Sequence, residues 1–368
     1  MAQDTDVFVV GGGPAGLAAA IAASQKGLRV ILADGAKPPI TKACGEGLLP
    51  DAVAALRELG VKMREEDGSA LRGIRFVDGD SSVNAPFPAG PGLGVRREIL
   101  HQRMVERASD CNVALMWNTP VTGLFEEGVV AGGKRIAAKW VIGADGSGSR
   151  VRRWCGLESY GIRSRRFAFR VHYSLEPWND FTEIHWAGQA QAYVTPVGPR
   201  EICIVLISEK RDSRFNECLL SFPKLAERLE GAARASVERG AVTGMSELKR
   251  VYRGNVGLIG DASGGVDAIT AEGLSLSFRQ ARALADALEA GELRHYQEAH
   301  RRMSRRPWQV GNLLLLLGRQ TGLRKRTMRS LAAAPQLFER MLAYQMGETR
   351  PLELATAGAI FGWKFLAA

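Results

Sequence analysis

The chain has 368 residues, 46% hydrophobic and 24% charged, which is enough for two lobes with a sizeable core and excludes a disordered or fibrous protein. Its net charge of +10 favours anionic partners such as dinucleotides, acidic substrates or an anionic membrane surface, while zinc-finger spacing, an RNA-recognition aromatic motif and a basic arm are all missing, so no nucleic acid partner is expected. Five scattered cysteines without a CxxC pair, no signal-peptide pattern and no apolar run of about 18 residues point to a reducing, cytoplasmic setting without a membrane span.

Residues 6–10 read as a β-branched strand that breaks into GGGPAG. LAAAIAASQKG then continues as a small-residue helix, and residues 28–33 form a second strand. Gly11, Gly13 and Gly16 stand in G-x-G-x-x-G spacing at the strand–helix junction, with Pro14 and Ala15 completing the turn. Glycines there permit a tight turn, close backbone approach to a pyrophosphate and close helix packing. Asp34 ends the second strand 18 residues after Gly16, where a carboxylate accepts hydrogen bonds from ribose hydroxyls. This much suits NAD and FAD equally.

Farther on, Asp78-Gly79 between two strand-like segments in residues 71–85 predicts a hairpin. Residues 97–109 read as a helix, and 113–117 and 139–143 as strands. From 166 to 208 the pattern becomes long alternating strands (FAFRVHYSL, TEIHWAG, QAYVTPVG, EICIVLIS), which predicts an antiparallel sheet with one covered face. Residues 255–260 give a further buried strand and 273–290 an Ala- and Leu-rich helix, after which the chain is helical and basic to its end.

Two later segments bear on the cofactor: WVIGADGSGSRVRR, with Asp145, and NVGLIGDASGGVDAITAEGL, with Asp261. Together with the glycine motif they resemble the three fingerprints of the flavoprotein superfamily of para-hydroxybenzoate hydroxylase and geranylgeranyl reductase. The resemblance runs from residue 6 to about residue 290. It implies an α/β fold: a Rossmann-like FAD-binding domain of the glutathione-reductase type, an antiparallel β-sheet substrate domain and a C-terminal helical segment. The corresponding boundaries are 1–70, 95–160 and 250–290 for the FAD-binding domain, 71–94 and 161–249 for the substrate domain, and 291–368 for the helical region. By the same resemblance Asp261 binds the ribityl hydroxyls, the loop through Glu272, Gly273 and Leu274 approaches the isoalloxazine with backbone donors, and Arg97 contacts the phosphate or ribityl region. Asp145 sits at a turn used for structure or pyridine nucleotide contact, and Gly45 and Val121 complete the cofactor set. KACGEGLLP is similar to the Lys-x-Cys-Gly run of the reductases, which puts Cys44 over the flavin as a candidate catalytic residue; a buried inert thiol is the alternative.

The chain departs from the pattern at Ala268, where most of the superfamily has Pro, and at Ala271, where the reductases have Gly. Tyr193-Val194-Thr195-Pro196 replaces their Trp-x-Phe-Pro run. That break favours a monooxygenase, in which oxygen trapped at the flavin C4a hydroxylates an apolar or aromatic small molecule. The alternatives are an alkene reductase similar to geranylgeranyl reductase and a non-catalytic flavin-binding redox protein. His172, His185, Trp186 and Tyr193 lie on the sheet strands as candidate pocket residues, or simply pack there. With no second glycine fingerprint, NAD(P)H docks transiently or a flavin-reducing partner protein supplies electrons. Five consecutive leucines at 313–317, bracketed by basic clusters, fit either core packing or peripheral membrane contact. The final LATAGAIFGWKFLAA reads as a closing helix or an oligomer contact.

Overall fold

The computed structural model describes residues 3–348 apart from 158, 163, 164 and 212; the terminal segment LATAGAIFGWKFLAA lies outside the described residues. The principal strands are β1 (Thr5–Val10), β2 (Val30–Ala33), β3 (Gly73–Asp78), β4 (Ser81–Pro86), β5 (Ala114–Met116) and β6 (Lys134–Gly143). They continue with β7 (Arg166–Ser174), β8 (Phe181–Ala187), β9 (Ala190–Gly198), β10 (Glu201–Ser208), β11 (Arg239–Thr243) and β12 (Val256–Leu258). The principal helices are α1 (Pro14–Gln25), α2 (Pro50–Glu58), α3 (Arg97–Asp110), α4 (Arg150–Trp154), α5 (Gly273–Glu289), α6 (Leu293–Arg319), α7 (Thr321–Ala333) and α8 (Pro335–Met346).

Two sheets carry the architecture. In the first, β12, β6, β1, β2 and β5 lie side by side, all parallel; α1 returns the chain from β1 to β2, whereas between β5 and β6 the crossover is an antiparallel meander of Val121–Phe125 and Gly128–Ala131. Val7, Phe8 and Val9 of β1 are wholly buried, and the Ala-rich α1 packs closely against α5 over this sheet. The second sheet runs β7, β10, β9, β8, β3, β4, with β11 pairing β7 on its other side. The expected hairpin is β3 and β4, turning at Gly79 with φ +63°.

Two sequence expectations need correcting. The second sheet is not wholly antiparallel, since β3 joins β8 in parallel, Gly73 opposite Phe181 through Asp78 opposite Trp186. The hairpin enters from a distant part of the chain, so no turn fixes its direction. Nor does the sheet have only one covered face. Cys203, Val205 and Ile207 of β10 face a core closed by α6, α7 and α8, whereas Ile202, Ile204 and Leu206 face one closed by Phe215, Phe222 and Leu225. Both faces of this central strand are apolar, which is why EICIVLIS carries almost no polar residue.

A buried ion pair ties this sheet to the loop that leads into α5. Arg166 on β7 makes a bidentate pair with Asp267 and donates to Gln191 Oε1 on β9 at 2.7 Å. Arg166 and Asp267 are 2% and 0% exposed, so neither charge has water as a substitute. Replacing Arg166 with Met is expected to take the guanidinium away from the buried Asp267 carboxylate and cost about 3–5 kcal/mol, read as a lower midpoint in equilibrium urea unfolding.

Candidate active site: a cavity between the two sheets

The chain leaves β1 at Gly11, whose φ of +112° suits only glycine; a Cβ there would also lie 2.5 Å from the Ala144 carbonyl oxygen. A Cβ on Gly16 would sit 1.9 Å from the Gly11 carbonyl oxygen, so this glycine lets α1 close down on the turn. At Gly13 a Cβ would meet no protein atom within 4 Å. The three glycines therefore do different work: Gly11 makes the turn, Gly16 packs the helix and Gly13 leaves space. Pro14 begins α1, and the unpaired N–H groups of its first turn suit an anion. Asp34 holds the turn from outside, accepting from Gly12 N at 2.7 Å and from Ala36 N at 2.8 Å.

This turn forms one end of a cavity of about 610 Å³ that runs between the two sheets. Gly11, Gly13, Pro14, Ala15 and Asp34 line it, while Gly16 is packed behind them. Gly45, Arg97, Val121, Asp145, Asp261, Gly273 and Leu274 line it as well, so the structure brings six further segments to the same space as the glycine turn and Asp34. Arg97 opens α3, and its Nε is buried without a hydrogen-bond partner, leaving a cationic donor for a ligand. The Asp145 carboxylate is engaged with α4, accepting from Ser149 Oγ, from Arg150 N at 2.6 Å and from Val151 N at 3.1 Å. Asp261 pairs with Lys42 at 2.8 Å. Gly273 starts α5, so a second helix N-terminus meets the same cavity.

At the other end the lining turns apolar, with Leu49, Leu71, Ile74, Phe87, Ile184 and Val205. Tyr193 and Thr195, two apart on β9, share one face of that strand and line this end. Both hydroxyls are buried without a partner, and burial pushes the Tyr193 phenol up, so it stays protonated. Cys44 lines the cavity too, its Sγ accepting from Glu46 N at 3.4 Å.

Of the four pocket residues expected from the sheet, only Tyr193 lines this cavity. His172 lies one layer behind it, bonded to Glu46 Oε2 at 2.6 Å and to Ser236 Oγ at 2.9 Å. His185 points to the opposite face, where it pairs with Glu183. Burial opposes ionisation of Glu183, yet His185, Trp178 and Asn179 together hold its carboxyl down at about 2. Trp186 shares a face with Ile184 but lies farther along, edge-on to Phe76 at 4.7 Å. Alternation along a strand gives the face of a residue but not its distance from a cavity, which accounts for His172 and Trp186; His185, next to Trp186 in the strand, lies on the other face of the sheet.

Sequence reasoning passed over Glu46, and took Glu272 only as part of the loop that leads into α5. Glu46 is wholly buried, accepting from Arg170 at 2.9 Å, from His172 and from the Arg97 backbone N–H at 3.1 Å. Its only signal was a charged residue between two glycines in KACGEGLLP. Glu272 caps the start of α5 without a side-chain cap bond. Burial raises its carboxyl to about 8 against the pull of Arg279, with Asp51 adding to the rise.

Two outcomes are expected. Gly13→Val puts its side chain into space where a Cβ meets no protein atom, so the fold is expected to persist while the dinucleotide-type ligand is lost from the purified protein, read by circular dichroism and absorbance together. Between about pH 5 and pH 8 native Glu272 keeps a proton that the unfolded chain releases, so it erodes stability as pH rises through that window. Glu272→Gln should therefore gain melting temperature relative to the parent as pH approaches 8, with no gain near pH 5.

The residues fit FAD: a glycine turn with space over Gly13, two helix N-termini, an unpartnered arginine and an apolar far end. Comparison with known proteins agrees. The FAD binding domain family matches residues 4–303. Menaquinone reductase of Mycobacterium tuberculosis (strain CDC 1551 / Oshkosh) is 30% identical over 79% of this chain and 78% of its own length. Digeranylgeranylglycerophospholipid reductase 2 of Methanosphaera stadtmanae is 28% identical over 74% of each. Among solved structures, a flavoprotein/dehydrogenase from Cytophaga hutchinsonii superposes with a TM-score of 0.81 at 18% identity, over 93% of this chain and 92% of that one. The chain belongs to the FAD binding domain family and is an FAD-dependent oxidoreductase of the para-hydroxybenzoate hydroxylase and geranylgeranyl reductase superfamily.

Proposed function

We propose that the protein hydrogenates an alkene in a polyisoprenoid lipid. The observation that carries this reading is the apolar end of the cavity, where aliphatic side chains and Phe87 meet two unpartnered hydroxyls, while the nearby carboxylate of Glu46 is already engaged by Arg170 and His172. Such a wall suits a hydrocarbon chain with a single polar group. The relatives matched over most of their length support it, since menaquinone and digeranylgeranylglycerophospholipid both carry isoprenoid chains. This reading replaces hydroxylation, the reaction favoured by the broken Trp-x-Phe-Pro run. Tyr193 and Thr195 stand in that run, and their hydroxyls fit a variation in what is bound as readily as a change of chemistry.

Reduced FAD, when bound, supplies the hydride to one alkene carbon and is itself oxidised. The chain's residues supply the rest. The aliphatic wall orients the chain and excludes water. The Tyr193 and Thr195 hydroxyls, each costing about 1–3 kcal/mol while unpaired, hold an oxygen of the substrate. The thiol of Cys44 gives the proton to the second carbon. A pyridine nucleotide docking transiently, or a flavin-reducing partner, restores the electrons.

The test is to reduce the FAD anaerobically, add a short-chain menaquinone and weigh the product. A gain of two hydrogens without oxygen is expected; a gain of one oxygen, only in air, returns the protein to the hydroxylases. Cys44→Ala is expected to slow turnover by about a hundredfold or more with FAD content unchanged, whereas an inert thiol would change neither.

A further inference from the structure

Nearly all of the net charge resides in one stretch. Residues 301–338 hold nine Lys and Arg and no Asp or Glu, against +10 for the whole chain. Most of those charges sit on α6, whose two faces differ sharply. Its inner leucines, Leu314, Leu315 and Leu317, are buried in the same core as Tyr193 and Val205, which line the cavity. Its outer face exposes Arg302, Arg305, Arg306, Leu313, Leu316 and Arg319. At 3.6 residues per turn these six fall within an arc of about 140°. Leu313 and Leu316 are 44% and 46% exposed, with arginines on both sides along the helix.

We propose that this outer face of α6 docks on an anionic lipid bilayer. Arginines in the headgroup layer and two leucines dipping toward the acyl chains make the arrangement of an interfacial helix lying in the membrane plane. No helix among the described residues is long and apolar enough to cross a membrane, so the contact is one of resting on the surface. Nucleic acid would satisfy the arginines and leave the leucines in water; a bilayer satisfies both. Docked in this way, the apolar end of the cavity lies about one helix diameter, roughly 10 Å, from the lipid. The inference rests on charge and exposure alone and does not depend on which reaction the flavin performs.

The test is flotation of the FAD-loaded full chain with vesicles of phosphatidylcholine, with and without phosphatidylglycerol. Flotation is expected only with phosphatidylglycerol, and should weaken as salt is added. Arg302→Glu with Arg305→Glu should lower partitioning by about 25-fold or more. Leu313→Ser with Leu316→Ser should weaken it too, and both pairs should retain flavin absorbance and melting temperature, which separates lost docking from lost folding. Equal flotation with neutral vesicles, or none with either, overturns the proposal. So does a dimer in solution that the leucine pair splits, or flotation that appears only when residues 349–368 are removed, because each gives the leucines another occupant. Preference for duplex RNA over vesicles overturns it as well.

Discussion

Most of the loop over residues 40–49 lines the cavity, and one carboxylate fixes where that loop runs. Glu46 adopts φ +59°, a left-handed conformation that costs a non-glycine residue of order 1 kcal/mol. Its side chain is held by Arg170 and His172 from β7 and by the N-terminus of α3, while its carbonyl accepts from Val95 N at 2.9 Å. Removing any one of these would leave a buried charge in part uncompensated, so the loop has little freedom to shift. Cys44 and Gly45 are carried in place by their neighbour. Glu46, His172 and Cys203 come within 4.8 Å of one another, the spacing of a metal centre. Here, however, the Arg170 guanidinium supplies the positive charge, and burial pushes the Cys203 thiol well up, away from the thiolate a metal requires.

The cavity is electrically lopsided. Its dinucleotide end has the start of α1 and the free Nε of Arg97, donors suited to negative charge in partial shelter from water. Its other end offers hydrocarbon and two hydroxyls. A molecule that is anionic at one end and greasy beyond has only one way to lie there, so orientation follows from polarity before any shape is considered.

How much of this the sequence carried depends on how local each feature is. The roles of Gly11, Gly13 and Gly16 were legible because strand, turn and helix occupy a single run, and the steric demands at each glycine follow from that run alone. Helices α3 and α5 appeared near their expected limits for the same reason. Glu46 was illegible because Arg170 and His172 are more than a hundred residues away in sequence. The direction of β3 against β8 was hidden likewise, since a hairpin's own sequence says nothing about which strand it will later meet. His172, His185 and Trp186 show a different limit: in a sheet covered on both faces, side-chain polarity no longer tells which face looks into a cavity.

The threading of the chain has a consequence for how the protein forms. The first sheet takes strands from residues 5–33, from 114–143 and finally from 256–258, and the second is completed between those visits by pairing residues 73–78 with 181–186. Neither sheet is finished until most of the chain is available, because the pairings that close them, β1 with β6, β6 with β12 and β3 with β8, join distant residues. Such a topology folds slowly, and neither half corresponds to a continuous piece that could be cut out and studied alone. A nascent chain emerging from the ribosome must therefore keep the bare edges of β1 and β3 out of trouble until their late partners arrive, which makes it a natural client for chaperones.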